Sequence, residues 1–460
     1  MLLKYFYDKA LAQASYMVGC EATGEALIID PARDVTPYVA AARAEKLTIT
    51  QVAETHIHAD FVSGSRELAA LTGARLYLSA LGEYAFADEQ TVLLGDGNRW
   101  TLGNIRVEAM HTPGHTPEHL IFQITDTEVA NIPIGLFTGD CLFVGDVGRP
   151  DLLETAQGIM GTSEQGARAQ FQNVNRLRAM PDYLQIWPGH GAGSLCGKAL
   201  GSLPSTTLGY EKRVNPAFQF DDEAAFVAWL LDDQPETPPY FKQMKPINQK
   251  GTALLDTLEA PLPMEGFILA EMLKSEALVI DTRGDGAHVP GALHIPPSDS
   301  FSSYAGWFVD YGAPTYLIAA PEQVDRLVRD LRAIGVDHLP GYFTPEEIGN
   351  LNAELPLTSL DEAAQYIEAG EMGSALIVDV RSRSEYDEGH IARALNIPFG
   401  LLTQHLDELP QDRPVILYCT SGIRSQIAAS VLMKSGFKDF ATIEGGLDAL
   451  KEAGLLVEAG

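Results

Sequence analysis

The chain has few cysteines and lacks any long apolar run. Four cysteines occur in 460 residues, none of them at Cys-x-x-Cys spacing, so neither a disulfide scaffold nor a structural zinc knot is expected. No stretch of about 18 uninterrupted apolar residues occurs, and the opening MLLKYFYD lacks the apolar core of a signal peptide. We therefore expect a cytoplasmic protein without a membrane span, in which each cysteine must be judged singly.

Basic residues are scarce relative to acidic ones. The chain has 32 Lys and Arg against 62 Asp and Glu, a formal net charge of −30 at pH 7. No Lys/Arg-rich run is present to displace counterions from phosphates, so nucleic-acid binding is not expected. A small anionic substrate stays compatible with this composition, because local charge decides its binding.

The length and the sequence patterns predict three domains. In residues 1–255, apolar runs end in His/Asp clusters, a pattern typical of buried strands whose polar ends meet at one edge. A Pro-rich stretch at 232–246 leads out of this domain. Residues 277–296 then carry an apolar run, Asp-x-Arg and His-x-x-x-Ala-Leu-x-Ile-Pro, and the same pattern returns at 377–398. This repeat predicts two α/β domains, at 256–350 and 351–460.

Histidine and aspartate residues of the first domain form a candidate metal site. The run Thr55-His56-Ile57-His58-Ala59-Asp60-Phe61 places three potential ligands on one turn after a strand. The other candidate ligands are His111, His115, His119, Asp140 and His190. Imidazole and carboxylate suit zinc or Fe(II), and the absence of cysteine from the set argues against a structural zinc site. Spacing alone does not choose among these residues.

The order of these motifs resembles the metallo-β-lactamase fold family. The motifs are Thr-His-x-His-x-Asp, Thr-Pro-Gly-His-Thr, Thr-Gly-Asp and Pro-Gly-His-Gly, within residues 1–200. Within that family the chain is most similar to the persulfide dioxygenases. The resemblance implies an αββα sandwich and selects His56, His115 and Asp140 as the ligands of one Fe(II) per chain. Two His and one carboxylate leave open positions for O2 and substrate.

The same resemblance assigns the residues around the ligands. His58, Asp60 and His190 are expected to orient ligands and waters, although a dinuclear site that uses them stays an alternative. A two-metal site, as in glyoxalase II, continues with His after the Asp, whereas this chain has Phe61, which cannot bind a metal. The departure disfavours a di-zinc thioester hydrolase.

A short loop after Asp140 adds one candidate for substrate binding. Gly148-Arg149-Pro150-Asp151 resembles the Gly-Arg-Thr-Asp stretch of the dioxygenases. Arg149 is therefore predicted to bind an anionic part of the substrate through its planar guanidinium. The alternative is a loop arginine that pairs with a local acid.

A second candidate site surrounds Cys419. The apolar run at 415–418 delivers this cysteine into a short loop that opens a helix, where backbone N–H groups form an anion nest that favours the thiolate. Arg424 adds a fixed positive charge. We predict Cys419 as a nucleophile toward sulfur, with a substrate-binding loop formed by Thr420, Ser421, Gly422 and Arg424.

Residues 356–460 resemble a rhodanese domain. The matching motifs are Val378-Asp379-Val380-Arg381, Glu385-Tyr386, Gly389-His390-Ile391, the Cys419 loop and Ile443-Glu444-Gly445-Gly446-Leu447. The resemblance implies transfer of sulfane sulfur through a Cys419 persulfide, since the six-residue loop suits phosphate-ester hydrolysis less well. In the first repeat the equivalent loop contains Ala319-Ala320-Pro321, and no cysteine occurs between Cys196 and Cys419. The middle domain is therefore expected to be inactive in sulfur transfer.

Together the resemblances imply an Fe(II) persulfide dioxygenase fused to a sulfurtransferase, with a role in sulfide detoxification. The expected substrates are a persulfide of glutathione or coenzyme A type, O2, and sulfite or thiosulfate, and a homo-oligomer is expected. One alternative is a di-zinc hydrolase of the glyoxalase II type fused to a sulfurtransferase. The other is a sulfur-relay module in which the metal domain is only structural.

Overall fold

The computed structural model describes residues 1–284, 286–369 and 375–454. The chain forms two compact units, Met1–Leu258 with Arg332–Gly335, and Glu259–Leu331 with Val336–Gly460. The division after Leu258 lies close to residue 255, the predicted end of the metal domain. The end of the predicted third domain, 455–460, lies outside the described residues. No helix in the described part of the chain is long and apolar enough to cross a membrane.

The first unit contains two six-stranded sheets. One has the order β1-β2-β3-β4-β5-β6, antiparallel from β1 to β3 and parallel from β3 to β6. The strands are β1 Leu2–Asp8, β2 Gln13–Cys20, β3 Glu25–Ile29, β4 Thr48–Ala53, β5 Arg75–Ser79 and β6 Thr91–Leu94. The second sheet has the order β12-β11-β10-β9-β8-β7. Its strands are β7 Arg99–Leu102, β8 Ile105–His111, β9 Leu120–Asp126, β10 Gly135–Gly139, β11 Gln185–Pro188 and β12 Thr206–Thr207.

Three apolar layers explain why these sheets form a sandwich. Residues such as Val18, Ile29, Phe122 and Phe137 alternate along their strands and pack between the two sheets. The outer face of each sheet packs on helices. The helices of this unit are α1 Thr36–Ala44, α2 Ser65–Thr72, α3 Leu152–Thr155, α4 Thr162–Arg178, α5 Leu208–Val214, α6 Glu223–Leu231 and α7 Phe241–Lys250. The αββα sandwich expected for the N-terminal part is confirmed.

The second unit contains two five-stranded sheets with the same strand order. The first is β13-β18-β17-β14-β16 and the second is β20-β24-β23-β21-β22, and every paired neighbour in both is parallel. The strands of the two sheets and of a small antiparallel pair, β15-β19, are β13 Leu262–Pro263, β14 Leu278–Asp281, β15 Ala287–His288, β16 Leu293–His294, β17 Thr315–Ile318, β18 Gly341–Phe343, β19 Ala353–Glu354, β20 Leu357–Thr358, β21 Leu376–Asp379, β22 Leu395–Asn396, β23 Val415–Tyr418 and β24 Phe440–Ile443. The repeat read from the sequence is therefore a repeat of topology.

Helices cover the parallel sheets, whose central strands are apolar because both faces are buried. They are α8 Gly266–Met272, α9 Phe301–Ala305, α10 Pro321–Ala333, α11 Leu360–Ala369, α12 Arg383–Glu388, α13 Ile423–Lys434 and α14 Gly446–Glu452. Helix α13 begins directly after Gly422, which has φ +102°. A glycine adopts this left-handed backbone without the steric cost that other residues meet. The turn from β23 into α13 carries the Cys419 loop.

Candidate metal centre and thiolate site

Three buried side-chain atoms converge without a hydrogen-bond partner in the described chain. They are His56 Nε2, His115 Nε2 and Asp140 Oδ2. The Asp140 oxygen lies 3.9 Å from His56 Nε2 and 3.4 Å from His115 Nε2. Buried polar atoms are normally paired, so an unpaired set of two imidazoles and a carboxylate fits a metal ion. A set of two imidazoles and one carboxylate suits zinc or Fe(II).

The protonation states of these three residues also suit a metal. Burial and the neighbouring His58 lower the pKa of His56 well below its ordinary value, and burial lowers the pKa of His115. Burial alone would raise the pKa of Asp140, but His190 and His56 hold it well below its usual range. Neutral imidazole and ionised carboxylate are the forms that bind metals.

Hydrogen bonds fix which nitrogen of each histidine faces the centre. Thr55 donates to Asp30 (2.8 Å), and its hydroxyl lies 3.0 Å from His56 Nδ1, so it accepts the proton of that nitrogen. His115 donates its Nδ1–H to the carbonyl of Arg149 at 2.8 Å. Each arrangement leaves Nε2 with its lone pair directed to Asp140. Such partners of ligand histidines set the tautomer and the ring orientation.

Hydrogen bonds link His190 to Asp140 and Asp60, and His58 to Asp30. His190 Nδ1 lies 2.9 Å from Asp140 Oδ1, and its Nε2 lies 2.9 Å from Asp60 Oδ2. Burial would lower the pKa of His190, but these two carboxylates raise it well above its ordinary value. His58 lies 3.3 Å from Asp30. The Asp140 carboxylate is therefore held by His190, with one oxygen left for the centre.

The buried side chain of Phe61 lies beside His58 and His190. Phe61 is 1% exposed. The ring centroid lies 4.2 Å from that of His58 and 6.4 Å from that of His190. The phenyl ring thus fills the space beside both histidines with apolar surface.

Cys419 lies at the end of β23 in the loop that opens α13. The side chain is buried, and the Gly422 backbone N–H donates to its sulfur at 3.1 Å. The hydroxyl of Ser425 lies 3.8 Å from the same sulfur. A donor from the loop and the start of α13 stabilise negative charge on Cys419.

Arg424 is fixed beside this loop by an acid. Its two terminal nitrogens bind Glu385 at 2.6 and 2.7 Å, and Nη2 also donates to Thr420 Oγ1 at 2.9 Å. Burial would raise the pKa of Glu385, but the hydrogen bonds and charge of Arg424 hold it at about 2. The side chain predicted to bind substrate is therefore preorganised by a carboxylate from α12.

Sequence comparisons identify a family for each of the two domains that carry these candidate sites. The profile of the metallo-β-lactamase superfamily matches residues 8–190, and that of the rhodanese-like domain matches residues 359–453. The chain is 31% identical over 236 residues to a cytoplasmic hydroxyacylglutathione hydrolase of Arabidopsis thaliana. The aligned region covers 50% of this chain and 84% of that protein. The chain belongs to the metallo-β-lactamase superfamily. A rhodanese-like domain follows its metal-binding domain.

Other relatives of the metallo-β-lactamase domain agree with this assignment. A hydroxyacylglutathione hydrolase of Synechococcus sp. is 29% identical over 230 residues, covering 46% of this chain and 87% of that protein. Among solved structures, a metallo-β-lactamase of Staphylococcus aureus subsp. aureus COL is 42% identical with a TM-score of 0.68, covering 75% of this chain and 99% of that one. The similarity to that structure thus extends beyond the metallo-β-lactamase domain.

Arg149 of the metallo-β-lactamase domain makes contacts that differ from the expected one. The guanidinium is buried and binds Asp151 at 2.7 and 2.8 Å. Its other N–H groups donate to the carbonyls of Leu195 and Pro235 and to the hydroxyl of Thr237. All five donors are used within the chain, so the structure shows the local acid pairing in place of the substrate contact. The backbone carbonyl of Arg149 accepts the Nδ1–H of His115, a candidate metal ligand.

His119, a candidate ligand in the sequence, and Asn248, which no motif indicated, both hold backbone groups around the candidate metal centre. His119 accepts the backbone N–H of Asp140 at 3.0 Å, and burial lowers its pKa to about 3. Asn248 of α7 donates to the carbonyls of His58 and Phe61 at 2.9 and 2.8 Å, and accepts the backbone N–H of Ser63. These contacts join segments far apart in the chain, and no spacing rule signals them.

Two further buried residues near the candidate metal centre, Asp30 and Cys196, were not assigned a role at the site from the sequence. Asp30 has φ +51°, a backbone conformation that is uncommon outside glycine and is often found at functional sites. Cys196 lies with Asp60 and His190 in a group of potential ligand atoms within 4.8 Å of one another. Burial raises the pKa of Cys196 well above its ordinary value.

Proposed function

We propose that the chain oxidises a low-molecular-weight thiol persulfide with O2 and one molecule of water, giving sulfite and the free thiol, and transfers sulfane sulfur through Cys419. The observation that carries the first activity is the unpaired triad of His56, His115 and Asp140, with Phe61 where a second metal would need a ligand. A single metal with three protein ligands keeps positions open for two substrates. A hydrolytic pair of metals lacks that ligand.

The protein's part in the oxidation is to hold the metal ligands in position and to keep bulk solvent from the site. Fe(II), when bound by the triad, supplies the redox chemistry with O2 and the open coordination positions. Thr55, the Arg149 carbonyl and His190 hold the three ligands in orientation. The ligands are at most 1% exposed, so the persulfide reacts in surroundings of low dielectric constant.

Sulfur transfer needs a nucleophilic thiolate. The Cys419 thiolate attacks the outer sulfur of a persulfide RS–S⁻, forming Cys–S–S⁻ and releasing RS⁻. Sulfite then takes that outer sulfur, giving thiosulfate and restoring the Cys419 thiolate. Neither step needs an outside oxidant, because one S–S bond forms as another breaks. Gly422 and Arg424 are the groups that stabilise the anions.

The presence of both domains in one chain supports thiosulfate as a joint product of the two proposed activities. Sulfite formed in the metallo-β-lactamase domain and persulfide sulfur carried on Cys419 react to thiosulfate. Linking the two activities in one chain raises the effective concentration of one site near the other. We infer thiosulfate as the product when persulfide and O2 are both supplied.

A second candidate is hydrolysis of a glutathione thioester by the metallo-β-lactamase domain. It is favoured by the relatives from Arabidopsis thaliana and Synechococcus sp., both named hydroxyacylglutathione hydrolases. A two-zinc hydrolase would need ligands for a second metal, and Phe61 replaces one of them. Metal analysis separates the two: one iron per chain supports the oxidation, and two zincs per chain support the hydrolysis.

The test uses the full chain, purified without oxygen and loaded with Fe(II). We expect His115→Ala to lose its bound iron and with it the O2 uptake given glutathione persulfide or coenzyme A persulfide. Lys242→Ala, an exposed change on α7, is the matched control and should keep both iron and uptake. Uptake that survives His115→Ala would contradict the proposed ligand set.

A further inference from the structure

The two α/β domains of the second unit meet in an aromatic cluster around Phe399. The ring of Tyr304, on α9 of the Cys-less domain, lies 5.4 Å from that of Phe399 in a T-shaped contact. Trp307 and Phe308 follow at 6.0 and 6.1 Å. Such pairs stabilise a contact beyond their buried area. Phe399, in the rhodanese-like domain, is thus packed against three rings of its neighbour.

Other contacts show how closely these domains fit. A methyl group built on Gly400 would lie 2.1 Å from the Trp307 ring, so only glycine leaves room for this ring. The backbone N–H of His294 donates to the hydroxyl of Ser430, which lies on α13, at 3.0 Å. The Cys-less domain therefore contacts both the segment at 399–404 and the helix that opens at the Cys419 loop.

The aromatic cluster lies beside the sulfur site. Phe399 donates its backbone N–H to Val380 at 3.0 Å, and Val380 donates to the carbonyl of Tyr418 at 2.9 Å. Tyr418 immediately precedes Cys419. Two backbone hydrogen bonds thus connect the ring that Tyr304 contacts to the residue before the nucleophile.

Tyr304 also lies within electrostatic range of the cation of this site. Burial lowers the pKa of the Arg424 guanidinium, and Glu385 raises it. Cys419 and Tyr304 add to that rise, so both face the same positive charge. The Tyr304 side chain is partly exposed, and its hydroxyl makes no hydrogen bond to any residue that the structure describes. A hydroxyl donor within electrostatic range of a cation suits the binding of an oxyanion.

We propose that the Cys-less domain completes the sulfurtransferase site, with the hydroxyl of Tyr304 binding a sulfo oxygen of thiosulfate or sulfite beside Arg424. This inference rests on the proposed sulfur transfer through Cys419. It gives the domain without a cysteine a part in selecting the substrate. Thiosulfate carries the sulfo group that the hydroxyl recognises, whereas glutathione persulfide has none at its reacting end.

The Tyr304 hydroxyl has a defined role in sulfur transfer from thiosulfate. The Cys419 thiolate attacks the sulfane sulfur of thiosulfate, an S–S bond forms, and the old S–S bond breaks with its electron pair leaving on sulfite. Tyr304 donates a hydrogen bond to the sulfo oxygens, in the bound substrate and in the departing sulfite. With glutathione persulfide as donor the leaving group is a thiolate, and the hydroxyl has no sulfo oxygen to bind.

The experiment compares two sulfur donors in the full chain. Thiocyanate formation from cyanide is measured with thiosulfate and with glutathione persulfide as donor, for the unsubstituted protein and for Tyr304→Phe. The variant keeps the ring on Phe399 and removes only the hydroxyl. We expect the KM for thiosulfate to rise about tenfold, as for loss of a hydrogen bond to a charged group. The kinetic constants for glutathione persulfide should not change.

A matched control separates recognition from packing. Phe308→Leu alters the same aromatic cluster without touching the hydroxyl, and it should leave the ratio of the two KM values unchanged. An unchanged KM for thiosulfate in Tyr304→Phe, or an equal rise for both donors, would overturn the inference while sulfur transfer itself stands. Thiocyanate formation that persists in Cys419→Ser would overturn the proposed sulfur transfer and this inference with it.

Discussion

The two α/β domains of the second unit share a scaffold but differ in one loop. Both have the same strand order, and in both an Asp at the end of a central strand binds an Arg two residues later, Asp281 with Arg283 and Asp379 with Arg381. In the rhodanese-like domain four residues separate β23 from α13, whereas in the other domain two residues separate β17 from α10. The shared pairs stabilise the fold, and the loop decides the chemistry.

Loop length matters for a physical reason. The four residues that follow β23 allow Gly422 to adopt a left-handed backbone and to direct its N–H to the Cys419 sulfur. The shorter connection runs directly into Pro321, which has no N–H to donate. The Cys-less domain therefore lacks both the nucleophile and its anion nest. We propose that the same fold carries a reactive site in one copy and a substrate-recognition surface in the other.

The largest effect should follow from removing the nucleophile. Cys419→Ser should reduce sulfur transfer by on the order of 10³-fold or more, because a neutral hydroxyl is a poor nucleophile at its ordinary pKa. O2 uptake should continue, and the product should shift from thiosulfate to sulfite. Sulfite and thiosulfate are quantified together after persulfide addition. An unchanged thiosulfate yield would remove Cys419 from the mechanism.

In the metal domain, a residue far along the chain holds the loop that follows β4: Asn248 of α7 binds the carbonyls of His58 and Phe61. Asn248→Ala removes two hydrogen bonds to the carbonyls of His58 and Phe61 and one from Ser63. We expect metal affinity to fall about 10- to 100-fold, as is typical when an outer partner of a metal site is lost. Competition with a chelator measures the affinity, with Lys242→Ala as the control on the same helix. Equal affinities for the two variants would refute this role.

A smaller effect is expected at the acid that fixes Arg424. Glu385→Gln removes the charge that binds both terminal nitrogens of Arg424. Since the pair is partly exposed, we expect a loss of roughly five- to tenfold in kcat/KM for sulfur transfer. Steady-state thiocyanate formation checks it. Asp387→Asn, on the same helix and in contact with Arg383, should leave kcat/KM unchanged.

The pH dependence of stability provides a separate test of Glu385. Its pKa is lowered to about 2 by Arg424 from an ordinary value of 4.5. A carboxyl with a lowered pKa stabilises the folded state above its ordinary pKa, and that contribution is lost as the pH falls toward about 2. The free energy of unfolding in urea, measured at pH 7 and pH 3, should therefore fall less in Glu385→Gln than in the unsubstituted protein. Equal losses would contradict the pairing.

A cysteine placed at the equivalent position of the Cys-less domain should not create sulfur transfer. Ala319 occupies the position after β17 that Cys419 occupies after β23. Ala319→Cys in a Cys419→Ser background should not restore sulfur transfer, because the short connection into Pro321 provides no anion nest. Persulfide formation is followed by mass spectrometry. Recovery of activity would show that the cysteine alone, rather than the loop, makes the difference.

The sequence predicted the parts of the molecule that depend on local pattern. The repeat, the αββα sandwich and the His/Asp residues that meet at one edge all follow from strand periodicity and from motifs at strand ends. The contacts of Asn248, Glu385 and Tyr304 did not follow, because each reaches its partner across a fold whose packing no local pattern encodes. The substrate contact expected for Arg149 illustrates the same limit: its motif is in place, but its five donors are used by neighbours brought together by the fold.

The most direct test of the central proposal is O2 uptake by the anaerobically purified, Fe(II)-loaded chain supplied with glutathione persulfide or coenzyme A persulfide, with sulfite and thiosulfate quantified together. The account predicts O2 uptake with thiosulfate as the product, and sulfite in its place in Cys419→Ser. No uptake with either persulfide, despite one bound iron per chain, would contradict it.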